Sequence, residues 1–291
     1  TVNRLWQSFF GRGIVKTTGD FGSQGAPPTH PELLDWLASE FIHSGWNLKR
    51  LTRTIVASET YRQSSRVEPR HRQLDPDNVL LARAPAIRLP GNMLRDQALA
   101  VSGLLVESSG GPSVKPYQPK GLWREASNFS YTLGKGDELY RRSLYTYWKR
   151  TLAPPTMAIL DTGDRESCTV KPKRTNTPLQ ALALLNDVTF VEAARNLAER
   201  ALRDGGESDS QRITYAFRTV ATRHPTDQEN EILMVALEDY RTELRAQPAM
   251  SRRLLNAGSS KANPKLDEVE LAAMTALANV LLNLDEVTTR E

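Results

Sequence analysis

Apolar side chains recur at intervals of three and four residues toward both ends of this chain and lose any period in the middle. Leu5, Trp6, Phe9 and Phe10 form the first such stripe, and Gly11-Arg12-Gly13 stops it as a C-terminal glycine does. After a Gly- and Pro-rich loop over 14–28, Thr29 and Glu32 make a capping-box pattern with Pro31 in the first turn. Leu33, Leu34, Leu37, Phe41 and Ile42 supply the apolar face of that helix, which ends at Ser44-Gly45. Asn47 caps the next, with Leu48, Leu51, Ile55 and Val56 facing inward and Lys49, Arg50, Arg53 and Arg62 outward, so the two make a helical hairpin. Beyond a polar loop over 63–72, Asp75-Pro76 opens a short helix through Leu80 and Leu81. Pro90 opens a longer one with Met93, Leu94, Leu99 and Leu105, closed by Gly110-Gly111-Pro112.

Helical spacing resumes at Thr177-Pro178, with Leu179, Leu182 and Leu185 along one side. A companion from Val188 to Leu202 is broken by Asp204-Gly205-Gly206, and Ile213, Phe217 and Val220 mark another. Thr226 with Glu229 repeats the capping box ahead of Ile232, Val235, Ala236 and Tyr240. Residues 247–265 read as a polar linker, and Leu266–Leu284 as a final packed helix with Val269, Ala273, Leu277, Val280, Leu281 and Leu284 on its apolar face. Between the two regions, only Leu144–Trp148 has the Tyr, Thr and Trp content of a short extended segment. The prediction is a mainly α fold, one large helical domain over 1–291. Helical regions over 1–110 and 177–291 are joined by a Pro-, aromatic- and Arg-rich irregular segment over 111–176, with at most a short strand or hairpin.

Composition sharpens the middle. Residues 111–180 hold 12 of the 38 Lys and Arg, 8 of the 20 aromatics and 7 of the 17 Pro, which marks this stretch as the candidate surface. The formal charge of +4 is unevenly placed, with 12 basic and 6 acidic side chains in 111–180 against 13 and 18 in 181–291. Such asymmetry steers an acidic partner toward the middle, or pairs the middle with the acidic C-terminal helices. No apolar run approaches the roughly 20 residues of a membrane span. The opening Thr1-Val2-Asn3-Arg4-Leu5-Trp6 is neither an initiator methionine nor a signal segment and already reads as helix, so a piece of a longer protein is expected.

Candidate chemistry is thin. Asp20-Phe21-Gly22 matches a kinase metal-binding triplet, but no glycine-rich loop, lysine strand or His-Arg-Asp loop accompanies it. His30, His43, His71 and His224 lack i, i+4 pairing and a nearby Cys, so no metal site is expected. Asn128-Phe129-Ser130 matches a glycosylation acceptor, a short pattern meaningful only in a secretory eukaryotic context. Lone Cys168 excludes an internal disulfide and a cysteine-only metal site. From Asp161 to Cys168 two carboxylates, Arg165 and a thiol fall within eight residues. That set serves acid–base or metal chemistry, or else simply caps turns and packs. Arg141, Arg142, Lys149, Arg150, Lys171, Lys173 and Arg174 interleave with Tyr140, Tyr145, Tyr147 and Trp148. This combination binds sugars, phosphates or single-stranded nucleic acid, or anchors an irregular segment on a helical body.

Several blocks in order, Asn3-Arg4-Leu5-Trp6, Phe10-Gly11-Arg12-Gly13, Asp20-Phe21-Gly22, His30-Pro31-Glu32-Leu33-Leu34-Asp35-Trp36-Leu37, Arg95-Asp96, Arg141-Arg142-Ser143-Leu144-Tyr145, Thr175 to Gln180 and Leu282-Asn283-Leu284-Asp285-Glu286, carry a resemblance over nearly the whole chain. It resembles the C-terminal domain of unknown function 1553 of planctomycete secreted cytochrome-like proteins. The resemblance implies an exported, extracytoplasmic polypeptide in which this domain follows a c-type haem module and a further domain. No Cys-x-x-Cys-His is present, so the chain itself attaches no haem and the upstream domains are its expected partners. Where relatives read Ala-Glu before the Arg-Asp pair, this chain has Gly91-Asn92.

The expectation is a binding or docking domain for a partner domain, a glycan or an anionic ligand, with Arg141, Arg142, Tyr145, Asp161, Arg165, Cys168 and Arg174 lining its surface. One alternative is a hydrolase or oxidoreductase using Asp161 and Asp164. Nucleic-acid binding ranks last, because the net positive charge is small.

Overall fold

Caps, prolines and left-handed glycines set most helix boundaries in the computed structural model, which describes residues 1–126, 130–163, 165, 168–170 and 173–290. The chain divides into two compact units. One holds 1–88 with the described parts of 168–172 and 289–291, and the other 89–167 with 173–288.

The first unit contains α1 (Val2–Phe10), α2 (Pro31–His43), α3 (Leu48–Val56) and α4 (Pro69–Leu74), with β1 (Ile87–Arg88) paired antiparallel to β2 (Thr289–Arg290). Gly11, at φ 74°, ends α1 in the left-handed conformation that glycine adopts without steric penalty. Trp6 stacks on Phe10 at 4.1 Å, and together with Val2, Ile14, Leu37, Phe41, Leu51 and Ile55 they form the core. The Asn3 amide braces it, donating to the Val15 carbonyl at 3.0 Å and accepting from the Val15 N–H at 2.9 Å. Asn47 caps α3 as expected, its side chain accepting from the Arg50 N–H. Thr29 does not cap α2. Its N–H and hydroxyl both donate to the Ile14 carbonyl, and His30 takes the cap position.

The second unit contains α5 (Gly91–Ser102), α6 (Leu122–Ala126), α7 (Pro155–Ile159), α8 (Pro178–Asn186), α9 (Val188–Asp204), α10 (Asp209–Ala221), α11 (Asp227–Ala246), α12 (Pro248–Leu255), α13 (Glu268–Leu282) and α14 (Asp285–Thr288). Helix α9 packs on α13, α5 and α10, and α13 also packs on α11 and α12. Ala193, Ala194, Ala198 and Ala201 on α9 and Ala272, Ala273 and Ala278 on α13 are fully buried, and these short side chains let the helices approach closely. Reciprocal capping boxes at Thr177/Gln180 and Thr226/Glu229 start α8 and α11 where the sequence places them.

The mainly α fold is as predicted, and β1–β2 is its one small sheet among the described residues. Four further expectations are corrected. The short helix lies at 69–74 and not after Asp75, because the Asp75 carboxylate accepts from the N–H groups of Val79 and Leu80 and closes a turn there. Helix α5 stops at Gly103, φ 80°, well short of Leu105. Residues 143–145 make a 3₁₀ turn, with Thr146 in a single parallel bridge to Val114 and no strand over 144–148. The polar linker contains α12. Leu179, Leu182 and Leu185 on α8, and Ile232 and Val235 on α11, are exposed, while Leu184, Leu233 and Leu237 turn inward. Among the described residues no helix is long and apolar enough to cross a membrane.

Candidate functional site

The irregular segment has few ladder partners for its carbonyls, and buried backbone groups need partners. Arginines supply them. Arg95, projecting from α5 and 5% exposed, donates to the carbonyls of Leu139 at 2.7 Å and Arg141 at 2.9 Å, and to the Ser143 hydroxyl at 3.3 Å. Burial pulls its pKa down, partly offset by the Asp96 carboxylate. Asp96 in turn accepts from the Ser143 N–H at 2.7 Å.

Arg141, 8% exposed, donates to the carbonyls of Ser108 and Pro112 at 3.1 Å each and to that of Gly110. Its guanidinium lies 3.9 Å from the Tyr145 ring centroid, and the Tyr145 hydroxyl accepts from the Gly110 N–H at 2.8 Å. Arg165 donates to the carbonyls of Ser143, Leu144 and Thr146 at 3.1–3.4 Å and lies over Trp148. Arg141, Tyr145 and Arg165 are thus brought together around the 143–145 turn, holding backbone.

Asp161 sits at φ 58°, its Oδ2 accepting from the Thr175 N–H at 2.7 Å, the Thr175 hydroxyl at 2.5 Å and the Gln180 amide at 3.1 Å. Burial raises its pKa, but the bonds from Thr175 and Gln180 outweigh that and hold it below the ordinary carboxylate value. Arg142 and Arg174 are exposed. Cys168 is an exposed free thiol and belongs to the first unit. Asp164, Lys171 and the Asn128-Phe129 part of the acceptor triplet lie outside the described residues. Among the described residues no group of three His, Cys, Asp or Glu is placed to hold a metal ion.

A cleft of about 820 Å³ opens instead along 117–124, 130–133 and the junction of α8 and α9. Trp123 and Tyr131 meet edge to face at 5.0 Å in its wall, with Tyr117 and Leu133. The Trp123 indole N–H donates to Gln118 at 3.0 Å, and the Tyr131 hydroxyl donates to the Pro116 carbonyl at 2.5 Å. Burial pushes the Tyr131 pKa up. The Lys149 ammonium stands 4.7 Å over Trp123, and Lys115 stands between Trp123 and Tyr147 at 5.8 and 5.2 Å. Lys120 and Arg124 line the cleft and are exposed.

Asn186, Asp187 and Val188 line the cleft from the helix junction. Asp187 caps α9, one oxygen accepting from the Thr189 N–H at 2.9 Å and the other from the Thr156 hydroxyl at 2.6 Å. The aromatic and basic enrichment of 111–180 signals the first half of this cleft. Nothing in periodicity signals Asn186 and Asp187, which read only as the end of one helix and the cap of the next.

The family model for a protein of unknown function, DUF1553 (PSD1), matches residues 1–237, and the chain belongs to that family. No curated protein and no solved structure matches it.

Proposed function

Starting from membership of a family without an assigned activity, we propose that this chain is a carbohydrate-binding module. The observation that carries the reading is the cleft of about 820 Å³, inside the roughly 300–1,000 Å³ range of small-ligand sites. Its aromatic wall offers Tyr117 and Tyr131 to the C–H face of a sugar ring, with buried Trp123 packed against Tyr131, while Gln118, Asn186 and Asp187 offer donors and acceptors to hydroxyls. Lys120 and Arg124 add positive charge, which leaves room for acidic substituents on the same glycan. The family resemblance supports an exported polypeptide in which the module follows a c-type haem domain and docks to its upstream neighbours. The rival reading, a hydrolase at Asp161 and Asp164, draws no support from Asp161, whose Oδ2 already accepts three hydrogen bonds.

A glycan array spanning neutral and acidic oligosaccharides tests the proposal. The expected result is selective binding that Asn186→Ala combined with Lys120→Ala weakens about tenfold, equivalent to ~1.4 kcal/mol. An array on which no glycan binds overturns the reading.

A further inference from the structure

A second, smaller space shares Tyr117 and Asp187 with the cleft and is also lined by Arg95, Thr146, Thr156 and Met157. Its volume is about 30 Å³, room for about two water-sized groups where one needs at least roughly 10–15 Å³. Two of its lining side chains are nine-tenths buried and carry a polar atom with no partner: Nε of Arg95 and Oγ1 of Thr146, on residues 5% and 2% exposed. Native proteins rarely bury such atoms unpaired, and here two of them belong to residues that line one chamber.

The chemistry of the wall selects the occupant. Arg95 Nε offers a donor, the Thr146 hydroxyl either donates or accepts, and the Asp187 oxygens accept. A hydroxyl, which both donates and accepts, satisfies that set; a carboxylate does not. Asp96 already stands 3.8 Å from Arg95, and Asp187 adds a second negative charge, so an incoming anion meets two carboxylates for one guanidinium. Met157, Leu160 and Phe190 supply an apolar flank for a methylene. Size and chemistry agree on a carbon and an oxygen, –CH₂OH.

We infer that this chamber is the inner subsite of the cleft and admits the exocyclic hydroxymethyl group of an uncharged hexose, an inference that rests on the carbohydrate reading of the cleft. Any acidic substituent then lies on another ring, toward Lys120 and Arg124.

Calorimetric or NMR titration of the full chain with matched sugars tests it. Methyl galactoside is compared with its 6-deoxy analogue, and methyl glucoside with methyl xyloside, which lacks the group entirely. The expected result is about tenfold tighter binding of each hexoside than of its truncated partner. In Thr146→Val that preference narrows to less than threefold. Because Thr146 Oγ1 bonds no protein group, the variant is expected to melt at or above the parent temperature. Equal affinity for hexoside and truncated sugar in the parent protein overturns the subsite while leaving the cleft as a sugar site. Preference for methyl glucuronide over methyl glucoside in the same titration also overturns it, and failure of every sugar to bind overturns both readings.

Discussion

Glu192 and Arg195 stand one turn apart on α9, both wholly shielded from solvent, and grip the same residue, Ser260. Glu192 Oε1 accepts from the Ser260 N–H and hydroxyl at 2.7 Å each, from the Ser259 N–H at 2.9 Å and from the Tyr140 hydroxyl at 2.9 Å. Arg195 donates to the carbonyls of Leu255, Ala257 and Ser260 at 2.6, 3.1 and 2.8 Å. Their own separation is 4.0 Å, so the pair acts chiefly through the chain it clamps after α12. Removing either partner leaves the other charge buried. Glu192→Ala and Arg195→Ala are each expected to lower unfolding free energy by about 3–5 kcal/mol in urea melts, with a double variant well below the sum of the two.

Gly258 belongs to the same clamp. At φ 84° it occupies left-handed backbone, and a Cβ there falls 2.1 Å from Cδ of Glu192. Gly258→Ala is expected to destabilise by more than about 2 kcal/mol through backbone strain and displacement of the carboxylate. A melting temperature equal to that of the parent refutes the clamp.

Arg141 makes a fork that three carbonyls of 108–112 share, with Tyr145 beneath it. Lysine keeps the charge and loses the fork. Arg141→Lys is expected to lose about 1–2 kcal/mol and Arg141→Ala about 2–4 kcal/mol. Hydrogen exchange at the Gly110 N–H, which donates to Tyr145, is expected to accelerate in both before the helices open.

Glu229 carries a pH signature. The Arg223 guanidinium, bonding it at 2.6 and 2.8 Å, and the Thr226 N–H hold its carboxyl down at about 2, against 4.5 for the free group. A depressed folded-state pKa means stability that is complete above about 4.5 and lost as pH falls toward about 2. Glu229→Gln is therefore expected to be less stable than the parent at pH 7, by on the order of 0.5–1 kcal/mol for so exposed a network. The gap should close between pH 4.5 and 2, which paired thermal melts across that window measure.

Cys168 is exposed and unpaired with another thiol. In native buffer the intact protein is expected to titrate one thiol per chain with a chromogenic disulfide reagent, at a rate that denaturant raises less than about tenfold. Slow, denaturant-dependent release places the thiol inside.

Helix boundaries were legible because the forces that set them are local. Gly11 ends α1 through its own φ, Asn47 caps α3 through a bond three residues long, and Thr226 and Glu229 cap α11 reciprocally. Even there, a helix signal fails when another bond outcompetes it, whether from a distant group, as the Ile14 carbonyl does for Thr29, or from a nearby one, as the Asp75 turn does for the helix placed after Pro76. Periodicity named apolar stripes on α8 and α11 without saying which face turns inward, because several faces carried Leu, Ile or Val; packing buried Leu184 and Leu237 and left Leu182 and Val235 outside.

From the sequence alone came the mainly α architecture, the irregular cationic and aromatic middle and the family, since propensity, caps and ordered motif blocks act at short range or are read in one dimension. The tertiary structure alone decided what the arginines do. Arg95 and Arg141 reach carbonyls 29 to 46 residues away, and those partners exist only once the segment has folded back on α5. It likewise joined 117–124 and 130–133 to Asn186 and Asp187 and placed Arg95 and Thr146 in the wall of one chamber. Such sites are made by chain segments distant in sequence, and no periodicity records which buried polar atoms will meet.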